Sequence, residues 1–412
     1  MPKNITIIGA GIVGVSCAAY LRRDGHDVTV VDVRPPGEYC SFGNAGILSP
    51  GSCVPFGLPG LLKKVPGYLL DPTGPLSIRP GYLPKLLPWL VRFIAASDES
   101  RIDGIADALR SLLGQTFEAY DPLVKNAGVA DLIHQSGYML VYETEQAYAN
   151  DWRAWKMRRE RGIVCEEIDG RRIREMAPAL RDIYRRGVWL PEQGYCANPG
   201  RLTKALAAQL ERDGGKVVQR RVLDIAMSAE GPRALVTDQD RLPVETLLVC
   251  AGAHSHEFSA RLGDKVPLET QRGYHVTIEN PTVQLDIPVC SGEGKFFATP
   301  MEMGLRIAGA VELAGLEAPP EYKRADALLE QGRRMFPELS GSNVTRWMGH
   351  RPQIPDSLPV ISRSSKFANA YYAFGHGHVG LCSGAPTGRL IAEIIGGKPP
   401  NIDPAPYRVE RF

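Results

Sequence analysis

The stretch that most constrains this chain is Gly9-Ala10-Gly11-Ile12-Val13-Gly14, because of what flanks it. Residues 5–8 are apolar and isoleucine-rich, the composition of a buried parallel strand. A helical pattern follows the glycines to Arg23, and Gly25 offers a stop. Residues 28–31 read as a second strand that ends at Asp32. Strand, glycine turn, helix, strand and acid describe a βαβ unit built to hold a dinucleotide. In that unit Gly9 permits the tight turn, Gly11 lets the backbone approach a pyrophosphate, and Gly14 allows close helix–strand packing. The helix start at Ile12 and Val13 offers free N–H groups and the positive end of the helix dipole to phosphates. Asp32 is placed to accept hydrogen bonds from ribose hydroxyls.

The motif does not separate FAD from NAD, so the rest of the chain has to. At 412 residues it exceeds one simple core and suggests two domains. A net charge of +2 gives no global pull toward nucleic acid or anionic membrane. None of the eight cysteines sits at a metal-ligand spacing, and HExxH and CxxC are absent, so no metal is expected. GxSxG is also absent, which removes a serine-hydrolase elbow. Cysteines in apolar runs such as "VSCAAYL" read as small hydrophobes and fit a reducing cytoplasm. The glycine motif begins at Gly9, ahead of which no signal peptide is expected. No apolar run reaches membrane-spanning length.

Two distant segments could complete a cofactor site. Residues 246–252, "TLLVCAG", read as a buried strand entering a small-residue turn at Ala251 and Gly252. Near the C-terminus Gly375, Gly377 and Gly380 precede a helix expected over 386–395. Taken alone, such a tail is more often just a turn before a helix. Residues 137–142, 295–299 and 305–311 read as strands, and 321–336 as a helix closed by Pro337.

In order along the chain, "IIGAGIVGVSCAAYLRRDGHDVTVVD", "SFGNAGILSP", "NPGRLTKALAAQLERDGG", "VCAGAHS", "RGYH", "GHRPQIPDSLPVI" and "FGHGHVGLCSG" resemble the D-amino-acid oxidase, glycine oxidase and sarcosine oxidase superfamily of flavoproteins. The look is most similar to the bacterial FAD-dependent D-amino-acid dehydrogenases. That resemblance implies an α/β fold with a Rossmann-type FAD-binding domain, discontinuous in sequence, and a sheet-rich α+β substrate domain. The FAD-binding domain would comprise 1–55, 187–265 and 346–412, and the substrate domain 56–186 and 266–345. It implies non-covalent FAD, with Cys382 in the flavin-side tail as the one thiol to watch. Ser41, Asn44, Ala45 and Gly46 would lie beside the flavin, and Val222 would contact adenine. Ala251, Gly252, Gly375, Gly377, His378, Val379 and Gly380 would complete the cofactor site.

The same resemblance implies hydride removal from a substrate α-carbon, with an imine that hydrolyses to a 2-oxo acid and ammonia. Arg351 matches the family's carboxylate anchor, a task that suits a guanidinium fork. Tyr274 is expected to hydrogen-bond that carboxylate. Strand alternation sends His275 the other way, so at most one of the pair faces the pocket. Arg272 could make only a structural pair. His376 would sit near the isoalloxazine as a donor or cation. Electrons would pass to a quinone or other carrier. Alternatives are an oxidase using oxygen, a non-catalytic FAD-binding subunit of an imino-acid dehydrogenase complex, and an NAD-dependent dehydrogenase. Residues 54–94 mix leucine, aromatic and basic side chains with eight prolines. Short helices and turns are expected there. They would either roof the pocket or rest peripherally on the inner face of the cell membrane, with Trp89 and Phe93 dipping in.

Overall fold

The computed structural model describes residues 2–60 and 74–412. The N-terminal βαβ unit forms as its pattern dictates: strand Asn4–Ile8, helix Ile12–Arg23, strand Asp27–Asp32. The isoleucines at 5, 7 and 8 are buried because the strand is covered on both faces. The sheet it starts has six strands, in the order Lys216–Gln219, Asp27–Asp32, Asn4–Ile8, Thr246–Val249, Ala370–Phe374, Val360–Arg363. The first five run parallel and the last is an antiparallel edge. Segments from the start, middle and end of the chain therefore interleave in one sheet. Asn4–Ile8 has Asp27–Asp32 on one side and Thr246–Val249 on the other, so the strand order switches beside it, where a crevice is expected at the carboxyl ends of the strands.

Helix Gly380–Gly396 lies against Ile12–Arg23, close enough that a Cβ on Gly388 would stand 2.6 Å from the Ser16 carbonyl oxygen. It begins six residues before the expected start, with Pro386 inside it. Proline removes the N–H that would bond the carbonyl four residues back. That carbonyl, on Cys382, lies 3.1 Å from the Thr116 hydroxyl, which also has Leu113 O within 2.6 Å, and Leu381 O accepts the Tyr120 hydroxyl at 2.6 Å. A neighbouring helix, Thr116–Ala127, thus packs its hydroxyls against the turn that precedes the proline.

The larger sheet has nine strands. Its core is Asn343–Gln353, Glu269–Glu279, Gly304–Leu313 and Phe296–Met301, hydrogen-bonded in that order and antiparallel. The expected boundary at 346 falls inside Asn343–Gln353, which pairs with Glu269–Glu279 from end to end. Helix Lys323–Met335 covers one face through Leu328 and Met335. The other face meets the loop after Asp27–Asp32: the His275 ring hydrogen-bonds Gly43 O at 2.8 Å, and Arg306 donates to the carbonyls of Phe42 and Asn44 at 3.2 and 2.8 Å.

The 54–94 stretch departs from expectation. Residues 61–73 lie outside the described residues. Leu83–Ala96 is one continuous helix: Pro84 falls in its first turn, where no intrahelical N–H bond is due, and Pro88 lies inside it at the cost of one bond, to the Pro84 carbonyl. Trp89 and Phe93 do not point outward: they stack at 5.0 Å in a core with Leu86 and Leu313, and the Trp89 indole donates to Gln353 O. The outward face is Leu83, Leu87, Val91 and Ile94, each 44–60 % exposed. Among the described residues no helix is long and apolar enough to cross a membrane.

Candidate active site

A cavity of about 1070 Å³ follows the crevice, from the glycine turn and Asp32 to Arg351 at the larger sheet. At its first end the backbone leaves no room for side chains. Gly9 has φ +114°, and a Cβ there would stand 2.3 Å from Cys250 O. One on Gly14 would stand 1.9 Å from Gly9 O. One on Gly11 would meet only the Ser41 hydroxyl at 3.4 Å, so that residue opens on the cavity. The Ile12 N–H bonds the Ser41 hydroxyl at 2.9 Å. Asp32 accepts Ala10 N–H at 2.7 Å and Arg34 N–H at 2.9 Å, one on each oxygen. An ionised carboxylate accepts about four bonds, so capacity remains. Val13, Ala45, Val222, Ala251, Gly252, Gly375, Gly377, Val379 and Gly380 line the same space.

The loop of residues 41–46 is braced from inside and outside. The Asn44 amide donates to Ser41 O and accepts Gly46 N–H, at 2.9 and 2.8 Å. His275 and Arg306 grip its carbonyls from the larger sheet, and Trp347 lies against Gly43 while stacking on His275 at 5.1 Å. Burial, then Arg306, pushes the His275 imidazole down to about 3, so it is neutral. His275 is thus a loop anchor. Arg306 and Trp347 were not singled out from sequence, though an arginine inside the apolar run "LRIAGAV" was the available signal.

Arg351 lies at the other end. Strand pairing slips between Arg272 and Tyr274, where Ala310 takes a left-handed φ of +57°. This bulge turns two carbonyls toward the guanidinium, which donates to Ala310 O at 2.9 Å and Gly309 O at 3.4 Å. Gly273 makes the space, since a Cβ there would stand 2.2 Å from Nη2. No carboxylate lies within ion-pair distance of Arg351 among the described residues. Burial pulls it down to about 10, still charged at neutral pH. A cation facing a cavity with only carbonyl partners is an anion site in waiting.

Tyr274 differs from expectation. Its hydroxyl donates to buried Glu312 at 2.6 Å and accepts Glu321 N–H at 3.0 Å. Its proton is committed to that carboxylate, and Arg272 projects from the same side of the strand toward Glu312. Arg272 is fully buried, donates to the carbonyls of Gly315, Ala318 and Pro319, and lies 3.5 Å from Glu312. Glu312 also takes Arg79 at 2.8 Å. Burial alone would raise this carboxyl, but Tyr274, Arg79 and Arg272 outweigh it and hold it low.

Both tail histidines border the cavity, in different surroundings. His376 is 3 % exposed, hydrogen-bonds Thr387 inside helix Gly380–Gly396 at 3.0 Å, and is pushed down to about 3 by burial. It is therefore not a cation. His378 opens into the cavity, tilted against Phe56 at 6.2 Å. Burial, then Arg351, pushes it down to about 4. The Cys382 sulfur faces Ser49 N–H at 3.2 Å and the Thr116 hydroxyl at 3.0 Å, and burial lifts the thiol to about 11.

The family model described as FAD dependent oxidoreductase (DAO) matches residues 4–394. A D-amino-acid oxidase of Bradyrhizobium diazoefficiens is 41 % identical, over 100 % of this chain and 99 % of its own. A D-amino acid dehydrogenase of Rhizobium johnstonii is 29 % identical, over 99 % of this chain and 100 % of its own. The glycine oxidase of Geobacillus kaustophilus superposes with a TM-score of 0.76 at 19 % identity, covering 100 % of both chains. The chain belongs to the FAD-dependent oxidoreductase family of the D-amino-acid oxidase type, and its cofactor is FAD. The site fits that cofactor. The glycine turn and helix start suit its pyrophosphate, Asp32 its ribose, and the cavity, at the top of the usual ~300–1,000 Å³ range, its length.

Proposed function

We propose that this enzyme oxidises the carbon–nitrogen bond of a small D-amino acid or cyclic imino acid. The observation that carries the reading is Arg351, a cavity-facing guanidinium paired only with carbonyl oxygens. Its remaining N–H groups suit a carboxylate, held by charge-assisted bonds. The names of the 41 % and 29 % identical relatives support a D-amino acid. FAD, when bound along the cavity, supplies the hydride acceptor. Arg351 fixes one end of the substrate, and the bulge carbonyls fix Arg351, so the α-carbon is held in one place. Phe56, Leu76 and Val311 line this end of the cavity, exclude water and suit a small apolar side chain. His378, neutral at pH 7, adds no charge to repel a substrate amine and can accept its N–H. Tyr274 and Arg272 act from the far face by positioning Glu312. An acyclic imine product leaves and hydrolyses to a 2-oxo acid and ammonia. Ser41, Asn44, His275 and Arg306 keep the loop beside the cofactor in register.

Two acceptors have support. The apolar outer face of Leu83–Ala96, flanked by Lys85 and Arg92, favours a membrane quinone. The 41 % identical oxidase favours oxygen. The test is anaerobic mixing of purified holoenzyme with D- and L-amino acids, N-methyl amino acids and cyclic imino acids. Bleaching of the flavin by small D-amino or imino acids is expected, followed by reoxidation with oxygen or a quinone analogue. If no member of the panel bleaches it, the reading fails.

A further inference from the structure

One buried side chain at the site has no partner. Gln271, on strand Glu269–Glu279, is 1 % exposed and lines the cavity, yet neither its amide nitrogen nor its amide oxygen makes a hydrogen bond. Among the described residues it is the only buried amide with both ends unsatisfied. Native proteins rarely leave such a group, because an unmade buried bond is costly. Gln271 is also the direct cross-strand partner of Arg351. Directly opposed residues of an antiparallel pair project from the same face with neighbouring Cβ atoms. The alternation supports this: Arg272 and Tyr274 turn to Glu312 on one side, while His275 turns to the Gly43 loop on the other, the side Gln271 shares. The guanidinium does not satisfy the amide, because it swings across Gly273 to the bulge carbonyls.

We infer that Gln271 recognises the substrate amine next to the carboxylate held by Arg351, and so makes the site selective for α-amino carboxylates over carboxylates that lack nitrogen. This rests on the amino-acid reading above. The amide oxygen accepts an amine N–H, and the amide nitrogen turns toward the carboxylate. A donor–acceptor pair of this kind discriminates strongly, since an analogue without the amine leaves the buried oxygen unpaired. An arginine alone would hold any small carboxylate.

The test uses FAD-loaded enzyme and two non-reacting ligands of similar shape. 2-Aminoisobutyrate carries both groups but has no α-hydrogen to lose; isobutyrate lacks the amine. Binding is read from perturbation of the flavin absorbance. Wild type should prefer aminoisobutyrate, and Gln271→Leu should reduce that preference about tenfold, the loss of roughly one hydrogen bond to a charged group. Gln271→Glu, which keeps an acceptor, should retain it. Ligand-free Gln271→Leu should keep its FAD and melt no lower than wild type, because the substitution removes an unsatisfied polar group. A structural glutamine would do the opposite. An unchanged preference, a melting point well below wild type, or release of FAD each overturns the proposal. Arg351→Ala separates the two readings. If it abolishes binding of both ligands while Gln271→Leu changes nothing, only the role of Gln271 fails. If wild type binds neither ligand, the amino-acid reading falls and this inference with it.

Discussion

In an Arg351→Ala variant, folding and binding should respond very differently. In the ligand-free protein the guanidinium makes one good bond, to Ala310 O at 2.9 Å, and one marginal contact, to Gly309 O at 3.4 Å. Losing them costs roughly 1–2 kcal/mol, but removing a desolvated cation with no counter-charge offsets much of it. The melting temperature should therefore stay within about 3 °C of wild type. The substrate carboxylate, in contrast, loses its charged donors with no compensation. A hydrogen bond to a charged group is worth roughly 1.5–3 kcal/mol, or about ten- to a few hundredfold at ~1.4 kcal/mol per decade. The assay is anaerobic flavin reduction at varied substrate concentration, giving kcat and KM separately, with bound FAD quantified for each variant. Arg351→Lys should recover only part of the loss, because a point charge lacks the fork. An alanine variant with unchanged kcat/KM would remove Arg351 from the site and with it the argument from unpaired charge.

Three further outcomes are expected. Gly11→Val should yield colourless protein, since the added side chain projects into the pyrophosphate end of the cavity; acid-precipitated wild type should release yellow FAD to the supernatant, and a yellow pellet would refute non-covalent binding. His376 and His275 are held neutral, both at about 3, against an ordinary 6.5. Their stabilisation is therefore complete above pH 6.5 and is lost as pH falls from there toward 3, at up to about 1.4 kcal/mol per pH unit for each; denaturant melts should show that slope, and it should shrink in His376→Gln. Liposome flotation with anionic vesicles tests the outer face of Leu83–Ala96: Leu87→Asp with Val91→Asp should float less than wild type while keeping FAD, and a wild type that stays at the bottom at low salt eliminates membrane docking.

The dinucleotide end of the molecule was legible in sequence because its signals are local. A glycine turn, the helix after it and the acid that closes the next strand are set by sterics and periodicity within residues 4–32, and the sheet forms around them as read. Arg351 was legible only through a resemblance, since nothing local separates it from the chain's other arginines. What tertiary structure decided lies where one segment supplies what another lacks. Tyr120 bonds the Leu381 carbonyl in the turn before Pro386, and the last helix starts at Gly380 rather than 386. Trp89 and Phe93 turn inward because Leu313, 220 residues and more away in sequence, offers them a core. The Tyr274 hydroxyl is taken up by Glu312 and the His376 ring by Thr387, partners 38 and 11 residues away, whereas His378 is left with its ring against Phe56 at the cavity. Gln271 has no local signature, for an amide in a strand is ordinary until its burial and its missing partners are known. Backbone geometry is written in neighbours along the chain, whereas the fate of a polar side chain depends on which distant donor, acceptor or charge the fold places beside it.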